Sequence, residues 1–135
     1  MEKKINIIFL IIWMILIFIM SNYTSTASAH QSGLIVNVIA SIFKIDNLNL
    51  LSHIIRKLAH FTEYFILGIL TIRVIIDYKL NNYYAIIICI LYAISDEIHQ
   101  IFIPGRSGEV RDVLIDITGT TLGIIIYNLY HKNKK

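Results

Sequence analysis

The chain has 135 residues, 56% of them hydrophobic and 16% charged, with a mean hydropathy of +0.68. A water-soluble domain carries about 45 to 50% apolar and about 25% charged residues, so this composition excludes an ordinary soluble fold. One proline, six glycines and abundant isoleucine exclude a solvated disordered chain as well. At roughly 20 residues per crossing, the length admits about four membrane helices and no separate soluble catalytic domain.

In chain order, Ile5 to Met20 is an uninterrupted apolar run behind Lys3 and Lys4, followed by polar Ser21, Asn22, Tyr23, Thr24, Ser25 and Thr26. It reads either as a retained membrane anchor or as a signal peptide. Ala27-Ser28-Ala29 fits a small-residue cleavage site, but the run exceeds the usual signal core of about 7 to 15 residues. Leu34 to Ile45 has apolar positions at 34, 35, 38, 39, 42 and 45, with Asn37, Ser41 and Lys44 on the opposite helical face. A helix of that length is about 18 Å long, too short to span, so it is expected either in the interface or packed on the bundle. Leu58 to Ile76, Tyr83 to Ile103 and Val113 to Tyr130 are three further spans. The last holds Gly119 and Gly123 at the small-xxx-small spacing that lets helix backbones approach. The expected fold is all-α: a four-helix transmembrane bundle with a short amphipathic or re-entrant helix between the first two spans. No alternating ten-residue pattern of a membrane β-barrel occurs.

Four spans place both ends of the chain on one side, together with Lys3, Lys4, Arg73, Lys79, Lys132, Lys134 and Lys135. Lys44, Arg56, Lys57, Arg106 and Arg111 fall on the other side. The positive-inside rule makes the first group cytoplasmic. Rich Ile, Asn, Lys and Tyr usage suggests an AT-rich bacterial genome, hence a bacterial cytoplasmic membrane. The net charge of +3 comes from these membrane-edge cations, and no basic stripe interleaved with aromatics exists, so no nucleic-acid partner is expected. Cys89, the single cysteine, lies in an apolar run and cannot form an intrachain disulfide or a Cys metal site.

Ionisable residues within membrane helices cost about 2.5 to 3.5 kcal/mol each on insertion scales and mark function by default. His60 and Glu63 are three apart at the outer start of the second span. Asp96, Glu97, His99 and Gln100 crowd the outer end of the third, and Asp112 and Asp116 are four apart at the outer start of the fourth. Antiparallel threading brings all three groups to one membrane face. The turn Ile103-Pro104-Gly105-Arg106 joins the last two spans and carries Arg106, with Arg111 beyond it. Simpler roles exist for each: a hydrogen-bonded His60–Glu63 pair, an Asp112 salt bridge with Arg106 or Arg111, a positive φ at Gly105, and interfacial anchoring by Tyr64 and Tyr92. Several carboxylates at one depth nevertheless repel, and need protons, arginines or a bound cation.

Three stretches carry a resemblance. They are Lys57-Leu58-Ala59-His60-Phe61-Thr62-Glu63-Tyr64, then Ser95-Asp96-Glu97-Ile98-His99-Gln100-Ile101-Phe102-Ile103-Pro104-Gly105-Arg106, then Asp112-Val113 with Asp116-Ile117-Thr118-Gly119. Together they resemble the VanZ-like family of small bacterial membrane proteins, and the opening helix with Trp13, Phe18 and Ser21 is also similar. The resemblance implies a retained first helix, four membrane helices and a link to low-level resistance to the glycopeptide teicoplanin, without implying a reaction. The positions matching the family's polar signature are His60, Glu63, Asp96, Glu97, His99, Gln100, Arg106, Asp112 and Asp116.

Three functions compete. In the first, an outer-face pocket binds a lipid-linked cell-wall precursor, an anionic envelope headgroup or a lipoglycopeptide, with Arg106, Arg111 and Lys57 holding the anion and His60, Asp96 and His99 meeting its sugar or peptide groups. The second is a metal-assisted hydrolase or transferase using a divalent cation, with His60, Glu63, Asp96, His99 and Asp116 as candidate ligands. There His99 with Asp96 is the better-spaced pair, because Glu97 and His99, two apart, point away from each other. The third, an ion-coupled transporter, has little support, since only Arg73 and Asp77 lie toward the inner side.

Overall fold

The computed structural model describes residues 2–22, 25–44, 46–106 and 108–133, without the side chains of residues 2 and 25–32. Tyr23, Thr24, Ile45, Lys134, Lys135 and the side chains of Ala27, Ser28 and Ala29 therefore lie outside the described residues. Five helices follow one another: α1 (Glu2–Ser21), α2 (Ser25–Phe43), α3 (Leu48–Asp77), α4 (Tyr83–Ile101) and α5 (Val110–Asn133), with no strand among the described residues. Of these, α1, α3, α4 and α5 are long and apolar enough to cross a membrane, as the composition requires.

Two helices start earlier than hydropathy suggests. Asn47 caps α3, its side-chain oxygen accepting from the Leu50 amide at 3.1 Å, so the helix begins at Leu48 rather than Leu58. Hydropathy registers the thickness of the hydrocarbon, about 30 Å, whereas a 30-residue helix is about 45 Å long, so the polar first turns of α3 extend beyond it. The helix expected from Leu34 starts instead at Ser25, since no proline or glycine interrupts Ser25–Ser32 and nothing there halts helical hydrogen bonding. Its Val36 is buried, while Leu34, Ile35, Val38, Ile42 and Phe43 are exposed, leaving α2 with much of its apolar surface uncovered.

Helix ends are well marked. Lys79 takes a left-handed φ of 56° after α3, with its amide on the Ile76 carbonyl and the Leu80 amide on that of Ile75, and Asn81 then accepts from the Tyr83 amide at 3.0 Å. The tight α3–α4 turn forces those helices antiparallel.

The interior has two apolar layers. Ile17, Tyr64, Leu67, Cys89 and Ala93 join α1, α3 and α4; Ile72, Ile75, Ala85 and Ile124 join α3, α4 and α5. Polar clasps hold α1 in place: Trp13 Nε1 donates to the Glu63 carbonyl at 2.9 Å and Tyr92 Oη to that of Met14 at 2.6 Å. At the α3–α4 end, Arg73 donates to Asn6 Oδ1 at 2.8 Å and Asn6 Nδ2 to Asp77 at 2.6 Å, which consumes the two inner charges. Helices α3 and α5 meet backbone to backbone, for a Cβ at Gly119 would stand 2.5 Å from the Phe61 carbonyl oxygen. Gly123 lies as tightly on the Phe65 carbonyl. Large apolar side chains such as Ile8, Phe9, Leu91, Ile98 and Leu129 line the exterior, as hydrocarbon rather than water would favour.

Candidate functional site

One end of the bundle gathers the chain's polar residues. The start of α3 supplies Arg56, Lys57, His60, Glu63 and Tyr64, the end of α4 Asp96, Glu97 and Gln100, the start of α5 Asp112 and Asp116, and the connecting loop Arg106 and Glu109. On α4 the buried face descends in steps of four through Ala85, Cys89 and Ala93 to Glu97, so the small residues that admit close packing also aim Glu97 inward.

The carboxylates divide into tied and untied. Asp112 is clamped by Lys57, which also reaches Glu109 at 3.4 Å. The salt bridge expected from Arg106 or Arg111 is thus made by Lys57, because α3 packs directly on α5; Arg106 donates instead to the Ser21 carbonyl at 3.2 Å, and Arg111 is exposed. Asp96 accepts from Tyr64 Oη at 3.3 Å and from Gln100 Nε2 at 3.1 Å, all three buried. Tyr64 is fully buried and so serves this network rather than an interface.

The untied groups converge. Asp116 is 0% exposed and neither of its oxygens has a hydrogen-bond partner. The same is true of Glu97 Oε1 and His60 Nδ1, both buried. His60 Nδ1 stands 3.5 Å from Asp116 Oδ1, and one donor atom from each of His60, Glu97 and Asp116 lies within 4.8 Å of the others. Glu97 is fixed through its second oxygen, which accepts the Glu109 amide at 2.9 Å. That bond needs Gly108 between them, since a Cβ there would fall 2.8 Å from the Glu97 carbonyl oxygen. Gly105, at φ 77°, makes the preceding turn, as its place in Pro104-Gly105 suggests.

Besides the tied Asp96, two expected ligands, His99 and Glu63, stand apart from this convergence. His99 is half-buried, bonded through Nε2 to Asn22 at 3.0 Å with its ring 4.8 Å from that of Phe18, and does not pair with Asp96. Glu63 is half-buried within the field of His60, Asp96, Asp116 and Arg106, but His60 turns to Asp116 rather than to it.

Above His60 opens a polar cavity of about 160 Å³, lined by Arg56, His60, Gln100, Gly105, Arg106, Glu109 and Asp112. Arg56, which sequence reasoning did not single out as a ligand, supplies the second guanidinium. Burial, and then the neighbouring Arg56, pull the Arg106 guanidinium below the ordinary arginine value, against the opposing pull of Asp96, Glu63 and Glu97. Arg106 stays charged, since guanidinium deprotonation lies far from neutrality.

The VanZ/LLP1 family model matches residues 6–131, from the second turn of α1 to the last of α5. The chain belongs to the VanZ/LLP1 family. The VanZ/LLP1 match takes in every side chain of the polar end and α1, whose clasps to Glu63 and Tyr92 make it part of the bundle. No curated protein and no solved structure matches the chain.

Proposed function

We propose that this VanZ/LLP1 protein sits in the bacterial cytoplasmic membrane with both ends cytoplasmic, and that its polar end binds the phosphate headgroup of a lipid-linked envelope component at the outer leaflet. The observation that carries this reading is the cavity of about 160 Å³ with Arg56 and Arg106 in its wall, beside which Lys57 is already engaged by Asp112 and Glu109. That volume is about five water molecules' worth, enough for a phosphate group with part of its hydration. Guanidinium forks match phosphate oxygens bidentately, His60 and Gln100 in the same wall suit hydroxyls or amides of an attached sugar or peptide, and the wall carboxylates Glu109 and Asp112 are paired with Lys57. Engaging wall precursors, or the lipid tail and headgroup of a lipoglycopeptide, would lower the effective access of teicoplanin to its target, which is the role we assign.

The test is binding of farnesyl pyrophosphate and dioctanoyl phosphatidic acid to the detergent-purified chain, with dioctanoyl phosphatidylcholine as the zwitterionic comparison. Charge-assisted hydrogen bonds are worth about 1.5 to 3 kcal/mol, so each of Arg56→Gln and Arg106→Gln should weaken binding roughly tenfold or more. In a teicoplanin-sensitive host, Arg106→Gln at unchanged membrane levels should abolish protection. Affinity indifferent to both substitutions would sink the reading.

A second reading, a membrane-embedded metal-assisted hydrolase or transferase acting on the same headgroup, is favoured by one observation: the untied donors of His60, Glu97 and Asp116 adjoin the cavity that His60 lines. Release of phosphate from farnesyl pyrophosphate that chelation stops would replace binding with catalysis; binding without turnover keeps the first reading.

A further inference from the structure

We propose that His60 Nδ1, Glu97 Oε1 and the Asp116 carboxylate bind a divalent transition-metal ion of the zinc or manganese kind. Buried carboxylate and imidazole atoms are almost always hydrogen-bonded, because leaving one unsatisfied costs about 1 to 3 kcal/mol, more when charged. Here four such atoms, on three side chains from three helices, lack a partner within one small volume: His60 Nδ1, Glu97 Oε1 and both oxygens of Asp116. Asp116 is 0% exposed, Glu97 5% and His60 7%, so solvent does not supply the missing partners.

Their spacing fits an ion. Two ligands on a tetrahedral centre with bonds of about 2.1 Å stand about 3.4 Å apart, and His60 Nδ1 to Asp116 Oδ1 is 3.5 Å. Glu97, within 4.8 Å of both, needs a side-chain shift of about 1 Å to close the set. The remaining features are those of a supported site. Glu97 is oriented from behind by the Glu109 amide at 2.9 Å, an outer contact of the sort that holds carboxylate ligands. One imidazole with two carboxylates suits zinc, manganese or iron better than magnesium or calcium, which prefer all-oxygen shells. A cation there also offsets the mutual repulsion of two buried carboxylates whose oxygens lie within 4.8 Å of each other.

This assignment stands on the buried donors and not on the headgroup reading. The full chain, stripped of metal in detergent, is to be dialysed against zinc and, separately, manganese, with bound metal counted by mass spectrometry and thermal unfolding followed. We expect one ion per chain and a rise in Tm on loading. His60→Gln, Glu97→Gln and Asp116→Asn should each lose more affinity than the roughly 10- to 100-fold that outer-shell changes cost. Glu63→Gln, Asp96→Asn, His99→Gln and Arg106→Gln should keep the ion, the last separating this site from headgroup binding. Asp116→Asn relieves a buried unpartnered charge, so its metal-free form should melt no lower than the metal-free wild type while losing the rise on loading. Failure of the wild type to bind either ion stoichiometrically, or binding that the three ligand substitutions leave intact, would overturn the site.

Discussion

Asp112 and Asp116 stand one turn apart on α5, yet their chemistry diverges because of what α3 places opposite each. Lys57 neutralises the first; against the second α3 sets only His60, without an aligned hydrogen bond. This difference can be tested at the tied residue. Lys57→Met strands Asp112, 7% exposed, and to a lesser extent the more open Glu109. Breaking a fully buried pair costs about 3 to 5 kcal/mol; with Lys57 and Glu109 in partial contact with water we expect roughly 1 to 3. Lys57→Met with Asp112→Asn should recover most of that loss in denaturant unfolding in micelles, while simple addition of the two single effects would show that the pair does not interact. The polar membership of this end was legible in the sequence, since charges in apolar runs announce themselves. Which members face inward was not. Spacing rules say that Asp96 and His99 share a helical side, but not which side α3 and α5 cover. The missed signal was the run Ala85, Cys89, Ala93: four more residues lead to Glu97, whereas His99 lies about 240° around the helix from Ala93, at about 100° per residue.

Among elements, the α3–α5 contact matters most, since it sets Lys57 against Asp112 and His60 against Asp116. Its closeness depends on hydrogen atoms in place of methyl groups, which makes glycine substitutions unequal. Gly123→Ala drives a Cβ into the Phe65 carbonyl oxygen, part of a helix backbone that cannot swing aside. Overpacking costs typically about 1 to 3 kcal/mol, and here it should also spread the site. Gly33→Ala on α2 meets nothing within 4 Å and should be neutral or stabilising by up to about 1 kcal/mol, from helix propensity alone. Comparable losses of stability for the two variants would refute the close-contact account. The Gly119–Gly123 spacing was readable in advance, but the long start of α3 and the early start of α2 were not. Hydropathy marks where lipid ends, while Asn47 and the absence of a breaker between Ser25 and Ser32 decide where helices do.

At the scale of the molecule, charge and oil are arranged along a single axis. The lipid-facing sides carry Ile8, Leu91 and Leu129; the α3–α4 end carries Lys3 above the Tyr78 ring and the Arg73–Asn6–Asp77 clasp; the opposite end carries the carboxylates and the cavity. An axis with two unlike ends fixes what orientation means, and the positive-inside rule, which counts only lysine and arginine, predicts that the α3–α4 end faces the cytoplasm. Antiparallel threading, the most legible property of the sequence, follows from four apolar runs, the last three joined by short turns, and needs no side-chain detail. Orientation is separately measurable. Single cysteines at Asp46, just before α3, and at Asn81, in the α3–α4 turn, report opposite ends, and Cys89 does not interfere because it is buried. In intact cells an impermeant thiol reagent should label Asp46→Cys at once and Asn81→Cys only after permeabilisation. The reverse pattern would turn the cavity toward the cytoplasm, where its phosphate ligands would be inner-leaflet lipids and a direct role against an extracellular glycopeptide would no longer be physically possible.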